Sequence, residues 1–113
     1  MNTNDTWAER IRTLFAHEIL VSERPMFGGL GFTVNGNMVC GVTGKDELVV
    51  HLGSDGERTA RSLPGAGDMD FSRRMGNMVF VSPHAVADDF TLGQWLKLAL
   101  DYAATLPPQQ DER

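Results

Sequence analysis

Residues 30–52 alternate apolar and small or polar side chains so regularly that an antiparallel meander is the natural layout. Three short runs, 30–34, 38–43 and 47–52, are rich in β-branched residues. They are separated by Asn35-Gly36-Asn37 and Gly44-Lys45-Asp46, both built from turn formers. With a three-residue loop at each connector, Val34 opposes Met38, Phe32 opposes Cys40, Val42 opposes Leu48 and Cys40 opposes Val50. Leu30, Phe32, Val34, Met38, Cys40, Val42, Leu48, Val50 and Leu52 then share one face. A slip of one residue would mix the two faces, which burial of one of them opposes. Asn37 and Asp46 are the expected left-handed residues of the loops, Asn37 the more readily.

Helical periodicity brackets this sheet. Trp7, Ile11, Leu14 and Phe15 form one stripe, and Thr6 with Glu9 fits a capping box. Arg24-Pro25 forces extended backbone and ends the helical reading. Ser54, with Glu57 three residues on, predicts a short helix over 54–62, followed by a loop over 63–67. Met69-Asp70-Phe71 reads as a brief strand and residues 78–81 as a firmer one. Ser82-Pro83 starts a short helix to Ala87. Thr91 and Gln94 make a second capping box for a helix whose apolar face is Leu92, Trp95, Leu96, Ala99, Leu100 and Ala103. Pro107-Pro108 stops it. The expectation is an α+β domain: an antiparallel sheet of about five strands flanked by an N-terminal and a C-terminal α-helix. One domain spans 1–113, its core covering about 6–106 and a polar tail 107–113, of which Gln109 to Arg113 are expected to be disordered.

Charge and cysteine usage narrow the function. A net charge of −5 argues against direct, strong binding to nucleic acid, whose phosphates call for a basic excess. A single cysteine, Cys40, permits no internal disulfide and fits a reducing compartment. The N-terminus lacks a signal-peptide pattern, and no apolar run approaches the ~20 residues of a membrane span. A cytoplasmic protein without membrane contact is expected.

Several residues invite a chemical reading. The run Gly28-Gly29-Leu30-Gly31 lacks the Lys-Ser/Thr of a P-loop and leads into a strand, so a turn or bulge is the plainer role. Cys40 falls in the apolar row, as a small core side chain. His17, His51 and His84 show no metal-ligand spacing, and His51 projects from the second face of the sheet. Asp88 and Asp89 suit the start of the last helix. Asp70 suits pairing with Arg73 or Arg74. The segment from Arg58 to Arg74 carries four arginines, including Arg61, against two acids. Arg24, Gly28, Gly29, Arg73 and Arg74 are therefore the candidate site for an anion or an acidic partner. No nucleophile, base and orienting group form a set, so no catalytic residue, metal or cofactor is expected. The second sheet face, with Val39, Val49 and His51, is the candidate self-association surface of a homodimer.

One stretch carries a resemblance. Arg24-Pro25-Met26-Phe27-Gly28-Gly29-Leu30-Gly31-Phe32, followed by Asn35-Gly36-Asn37-Met38, resembles the signature of the TfoX N-terminal domain family. Residues 78–83 and the helix with Trp95, Leu100, Tyr102 and Ala103 are similar to that family's closing elements. The resemblance runs from about Trp7 to Pro108, and Met-Phe-Gly-Gly-x-Gly is its specific part. It implies a bacterial α+β domain, with no catalytic residues to carry over. In longer members this domain is joined to a second, C-terminal domain, and those proteins regulate competence genes. A chain of this length is expected to lack that second domain. The expectation is a non-enzymatic regulatory or interaction module, linked to transcription or competence through a partner protein. The alternative is a small ligand- or anion-binding domain, or an enzyme, using the Gly28–Gly31 turn and nearby arginines.

Overall fold

The computed structural model describes residues 3–18, 21–26 and 28–108. Phe27, the Thr6 hydroxyl and the predicted tail of Gln109 to Arg113 lie outside the described residues. The elements are α1 (Thr3–Leu14), β1 (Val21–Met26), β2 (Gly29–Val34), β3 (Asn37–Val42), β4 (Leu48–Val50), α2 (Gly53–Ala60), β5 (Arg74–Met75), β6 (Met78–Val81) and α3 (Asp89–Thr105). Short 3₁₀ turns occupy Ala66–Asp68 and Pro83–Val86. The order β1-β2-β3-β4-β6-β5 makes one antiparallel six-stranded sheet with helices at the start and end of the chain. The fold is α+β.

Two strands, β1 and β5, lie outside the expected set, and β1 is the segment read from sequence only as extended backbone. Pro25 lies in β1 opposite Leu30, at the edge of the sheet, where a missing N–H leaves no gap in a ladder. Val21, two positions from Glu23 and four from Pro25, gives its own N–H to the Glu18 carbonyl. Of the alternate positions Val21, Glu23 and Pro25, only Glu23 thus retains an N–H for another strand, which blunts this edge against pairing. The Glu23 side chain is held by both ends of the Arg12 guanidinium, at 2.7 and 2.9 Å.

The meander follows the expected pairing in its middle and departs from it at the first tip. Phe32 opposes Cys40, Cys40 opposes Val50 and Val42 opposes Leu48. The second loop is also as expected: Thr43 and Glu47 close Gly44-Lys45-Asp46, with Asp46 left-handed at φ +63. The first loop is shorter. Asn35 and Gly36 alone form it, both at positive φ, so Val34 pairs with Asn37 rather than Met38. An irregularity between Phe32 and Thr33 restores register, with Val39 as the extra residue of β3. Val39 therefore joins the main core beside Cys40, while Met38 is only half-buried.

The capping predictions changed partners. Helix α1 already runs through Thr6, so that residue is not its cap. The cap of α2 is Leu52, without a side-chain bond, and Ser54 lies inside the helix. At α3 the capping residue is Asp88, whose carboxylate accepts from the Thr91 N–H at 3.0 Å. An aspartate one turn earlier is the better acceptor, since its carboxylate also meets the positive end of the helix dipole. Residues 69–71 form no strand; Met69 and Phe71 pack against the core from a loop.

The core lies between the sheet and the helices. Trp7 and Ile11 of α1 and Phe15 just beyond its end share one buried cluster with Phe32, Val42 and Val50, and Leu92, Trp95, Leu96, Ala99 and Ala103 of α3 complete it. Trp95 is fully buried, donates its indole N–H to the Pro64 carbonyl and stacks on Phe71.

Candidate functional site: a two-lobed cleft around His51

The predicted anion site does not assemble. Arg24 lies on β1 and Arg74 on β5, opposite edges of the sheet. Five strand spacings separate them, about 24 Å measured along the sheet. Arg73 is ion-paired with Glu47, and its guanidinium lies 4.1 Å from the centre of the Phe80 ring. Arg74 grips the Glu57 carboxylate with both terminal nitrogens and donates to the Phe71 carbonyl at 2.8 Å. Neither arginine forms an ion pair with Asp70, whose carboxyl is held below its usual range chiefly by hydrogen bonds from the Ser72 hydroxyl and N–H, with a smaller pull from the Arg73 charge. Arg58 pairs with Asp55, and Arg61 sits over the Phe71 ring.

The glycine run has a packing role. Met26 pairs with Gly29, with Gly28 at φ +73 in the turn between them. A Cβ on Gly29 would lie 1.9 Å from the Val42 carbonyl oxygen, and one on Gly44 would lie 3.0 Å from the Gly28 carbonyl oxygen. The β1–β2 turn is thus nested against the start of the β3–β4 loop.

The expected self-association face is not available through Val39 and Val49. Val39 belongs to the main core, and Val49 has no exposed surface. Val49 stands in a row with Gly31, Gly41 and Phe80, where Met26 lies across Gly31 and Arg73 across Phe80. Long side chains from the edges cover the small residues that the alternation left on this face.

Among the described residues three buried side-chain polar atoms have no hydrogen-bond partner, on Asp46, His51 and Gln94, and of these three residues only His51 lines the clefts described here. Its ring meets the Tyr102 ring edge-on, with centroids 5.1 Å apart, and its Nδ1 is buried without a hydrogen-bond partner. Tyr102 is wedged in place by Gly53, at φ +74, where a Cβ would come 2.4 Å from the tyrosine ring. Two clefts share His51 and Asn77 as walls. The polar one, about 220 Å³, also takes in Ser54, Glu57, Arg74 and Tyr102. The apolar one, about 360 Å³, is lined by Met38, Met75, Met78 and Leu106. Hydrogen bonding to Glu57, foremost, raises the pKa of the Arg74 guanidinium above its ordinary value.

The family model described as the TfoX N-terminal domain matches residues 13–103. The chain belongs to the TfoX N-terminal domain family. No curated protein and no solved structure matches it.

In this TfoX N-terminal domain Gly28 and Gly29 of the signature run serve the nesting of two turns, and Gly31 leaves room for the Met26 side chain. Cys40 is buried, and burial pushes its thiol up, away from the thiolate a nucleophile needs. Among the described residues no group of three or more His, Cys, Asp or Glu is placed to hold a metal ion. No helix among them is long and apolar enough to cross a membrane. The sequence points to His51 and Arg74, but for two separate surfaces, and gives Glu57, Asn77 and Tyr102 no site role. The signal for Tyr102 was its position on α3 just off the apolar stripe. Glu57 and Arg74 carried no signal of pairing, being joined only by the fold.

Proposed function

We propose that this TfoX N-terminal domain is a non-enzymatic regulatory module that acts by contact with another protein, any effect on transcription or competence passing through that partner. The observation that carries this reading is Phe90. Among the described residues it is the one large hydrophobic side chain left in solvent, 73% exposed. It stands in the first turn of α3, on rigidly held backbone. The Asp88 cap fixes the helix start, Arg10 pairs with Asp89, and the same guanidinium donates to the Val86 carbonyl at 3.0 Å. A pre-ordered exposed aromatic is the type of side chain that anchors protein interfaces. The carboxylates of Asp88 and Asp89 beside it suit a partner with a basic rim. The net charge of −5 supports action through a partner over direct contact with DNA.

The alternative, an anion site at the Gly28–Gly31 turn, draws less support, because Gly29 is packed on the Val42 carbonyl and Arg73 and Arg74 hold carboxylates. Comparing affinity captures by wild type and Phe90→Ser tests the reading. The variant should keep the wild-type melting temperature and lose one or more specifically captured proteins. Identical captures from both would overturn the assignment of Phe90.

A further inference from the structure

The two clefts at His51 differ in chemistry and have His51 and Asn77 in common, which sets a polar and an apolar surface side by side. We propose that this pair of clefts binds the zwitterion of a free α-amino acid with an apolar side chain. This site is separate from Phe90 and stands or falls independently of it.

The polar lobe selects the head group. Its ion pair is balanced, one guanidinium against one carboxylate, and the Glu57 side chain is only 14% exposed. The bonds from Arg74 to Glu57 and to the Phe71 carbonyl use three of its five N–H groups. The Glu57 oxygens keep lone pairs free in the same way. A ligand bearing only a carboxylate meets Arg74 but is repelled by Glu57. One bearing only an ammonium meets Glu57 but is repelled by Arg74. A head group with both charges on one carbon satisfies both without breaking the pair, its carboxylate taking N–H groups of Arg74 and its ammonium facing Glu57. Partial removal from water makes this match count for more than it would on an open surface.

The second lobe selects the side chain. Met38, Met75, Met78 and Leu106 offer a flexible, polarisable lining that adapts to an alkyl, thioether or aromatic group. Its volume, about 360 Å³, exceeds that of the polar lobe, about 220 Å³, as a head group with a larger apolar body requires.

His51 marks the junction. Its Nδ1 is enclosed without a partner, a state that costs free energy in a folded protein and calls for an explanation. The ring is held by the edge contact to Tyr102, itself fixed by the absence of a Cβ at Gly53. A ligand head group that reaches this nitrogen would supply the missing hydrogen bond.

Isothermal titration of the full chain with L-methionine and L-leucine tests the proposal, against glycine, hexanoate and n-butylamine. The two amino acids should give saturable heat, and each comparator should bind at least about tenfold more weakly. Glu57→Gln and Arg74→Gln should each weaken L-methionine by a similar factor. Met75→Ser, in the half-exposed lining and clear of the ion pair, keeps the test open should those variants unfold, and it should also weaken binding. No saturable binding of either amino acid at millimolar concentration would overturn the proposal. So would equal affinity for hexanoate or n-butylamine, or unchanged binding by a folded Met75→Ser.

Discussion

Gly29 presents its Cα to the backbone of Val42 so closely that no other side chain fits: a Cβ there would meet the carbonyl oxygen at 1.9 Å and the Thr43 carbonyl carbon at 2.9 Å. Both neighbours are main chain and cannot rotate aside. The contact joins the β1–β2 turn to the end of β3, so room for a methyl group would have to come from separating two hairpins.

Gly29→Ala should therefore destabilise the fold by about 2–3 kcal/mol, the scale of overpacking against rigid surroundings. Gly67→Ala is the matched control, because a Cβ at Gly67 meets nothing within 4 Å and its backbone does not demand glycine. That change should stay within about 0.5 kcal/mol. Urea unfolding of the two variants separates these outcomes, and equal stability would show that the hairpins yield.

Cys40 should behave as a core side chain and not as a reagent. It lies fully buried opposite Phe32 on one side and Val50 on the other, and burial pushes its thiol up. A thiol reagent at neutral pH should label the native protein only as fast as the chain opens, with the rate climbing as urea is added. Cys40→Ser should cost about 1–3 kcal/mol, since the new hydroxyl is enclosed with no assured partner. Fast labelling of the native state would contradict this placement.

The start of α3 should weaken in acid through Asp88. The side-chain and backbone hydrogen bonds from Thr91, foremost, hold its carboxyl below the ordinary value of 3.8, with Arg10 adding a smaller pull. A lowered folded pKa means that the ionised form contributes stability fully above the unfolded value. The contribution is then lost as pH falls through the folded one. Asp88→Ala should lower the melting temperature at neutral pH, and that difference should shrink as the pH drops below 3.8. Asp88→Asn, which keeps an acceptor for the Thr91 N–H, should lose less at neutral pH. A difference that stays constant with pH would rule out the charged cap.

Much of the fold was legible in local pattern. The alternation over 30–52 predicted the pairings of Phe32 with Cys40, Cys40 with Val50 and Val42 with Leu48, because a period of two leaves one register that buries the apolar row. The stripe from Leu92 to Ala103 predicted the buried face of α3, apart from the half-buried Leu100. The first loop was misread although its signal was present: Asn35-Gly36 is the dipeptide that most strongly favours a two-residue hairpin turn, and both residues have positive φ. The shorter turn displaced Met38 and drew Val39 inwards, which removed one of the three expected self-association residues.

By itself the sequence determined the type and order of the main elements, the central register of the meander and the family, since each depends on spacing within a few residues. The tertiary structure alone decided which distant groups meet. It brought His51 from the end of the meander against Tyr102 on α3, paired Arg74 with Glu57, parted Arg24 from Arg73 and Arg74, and left Phe90 in water. Such contacts depend on how the sheet and helices pack, and side chains that carry no periodic signal can share a cleft only once that packing has placed their backbones.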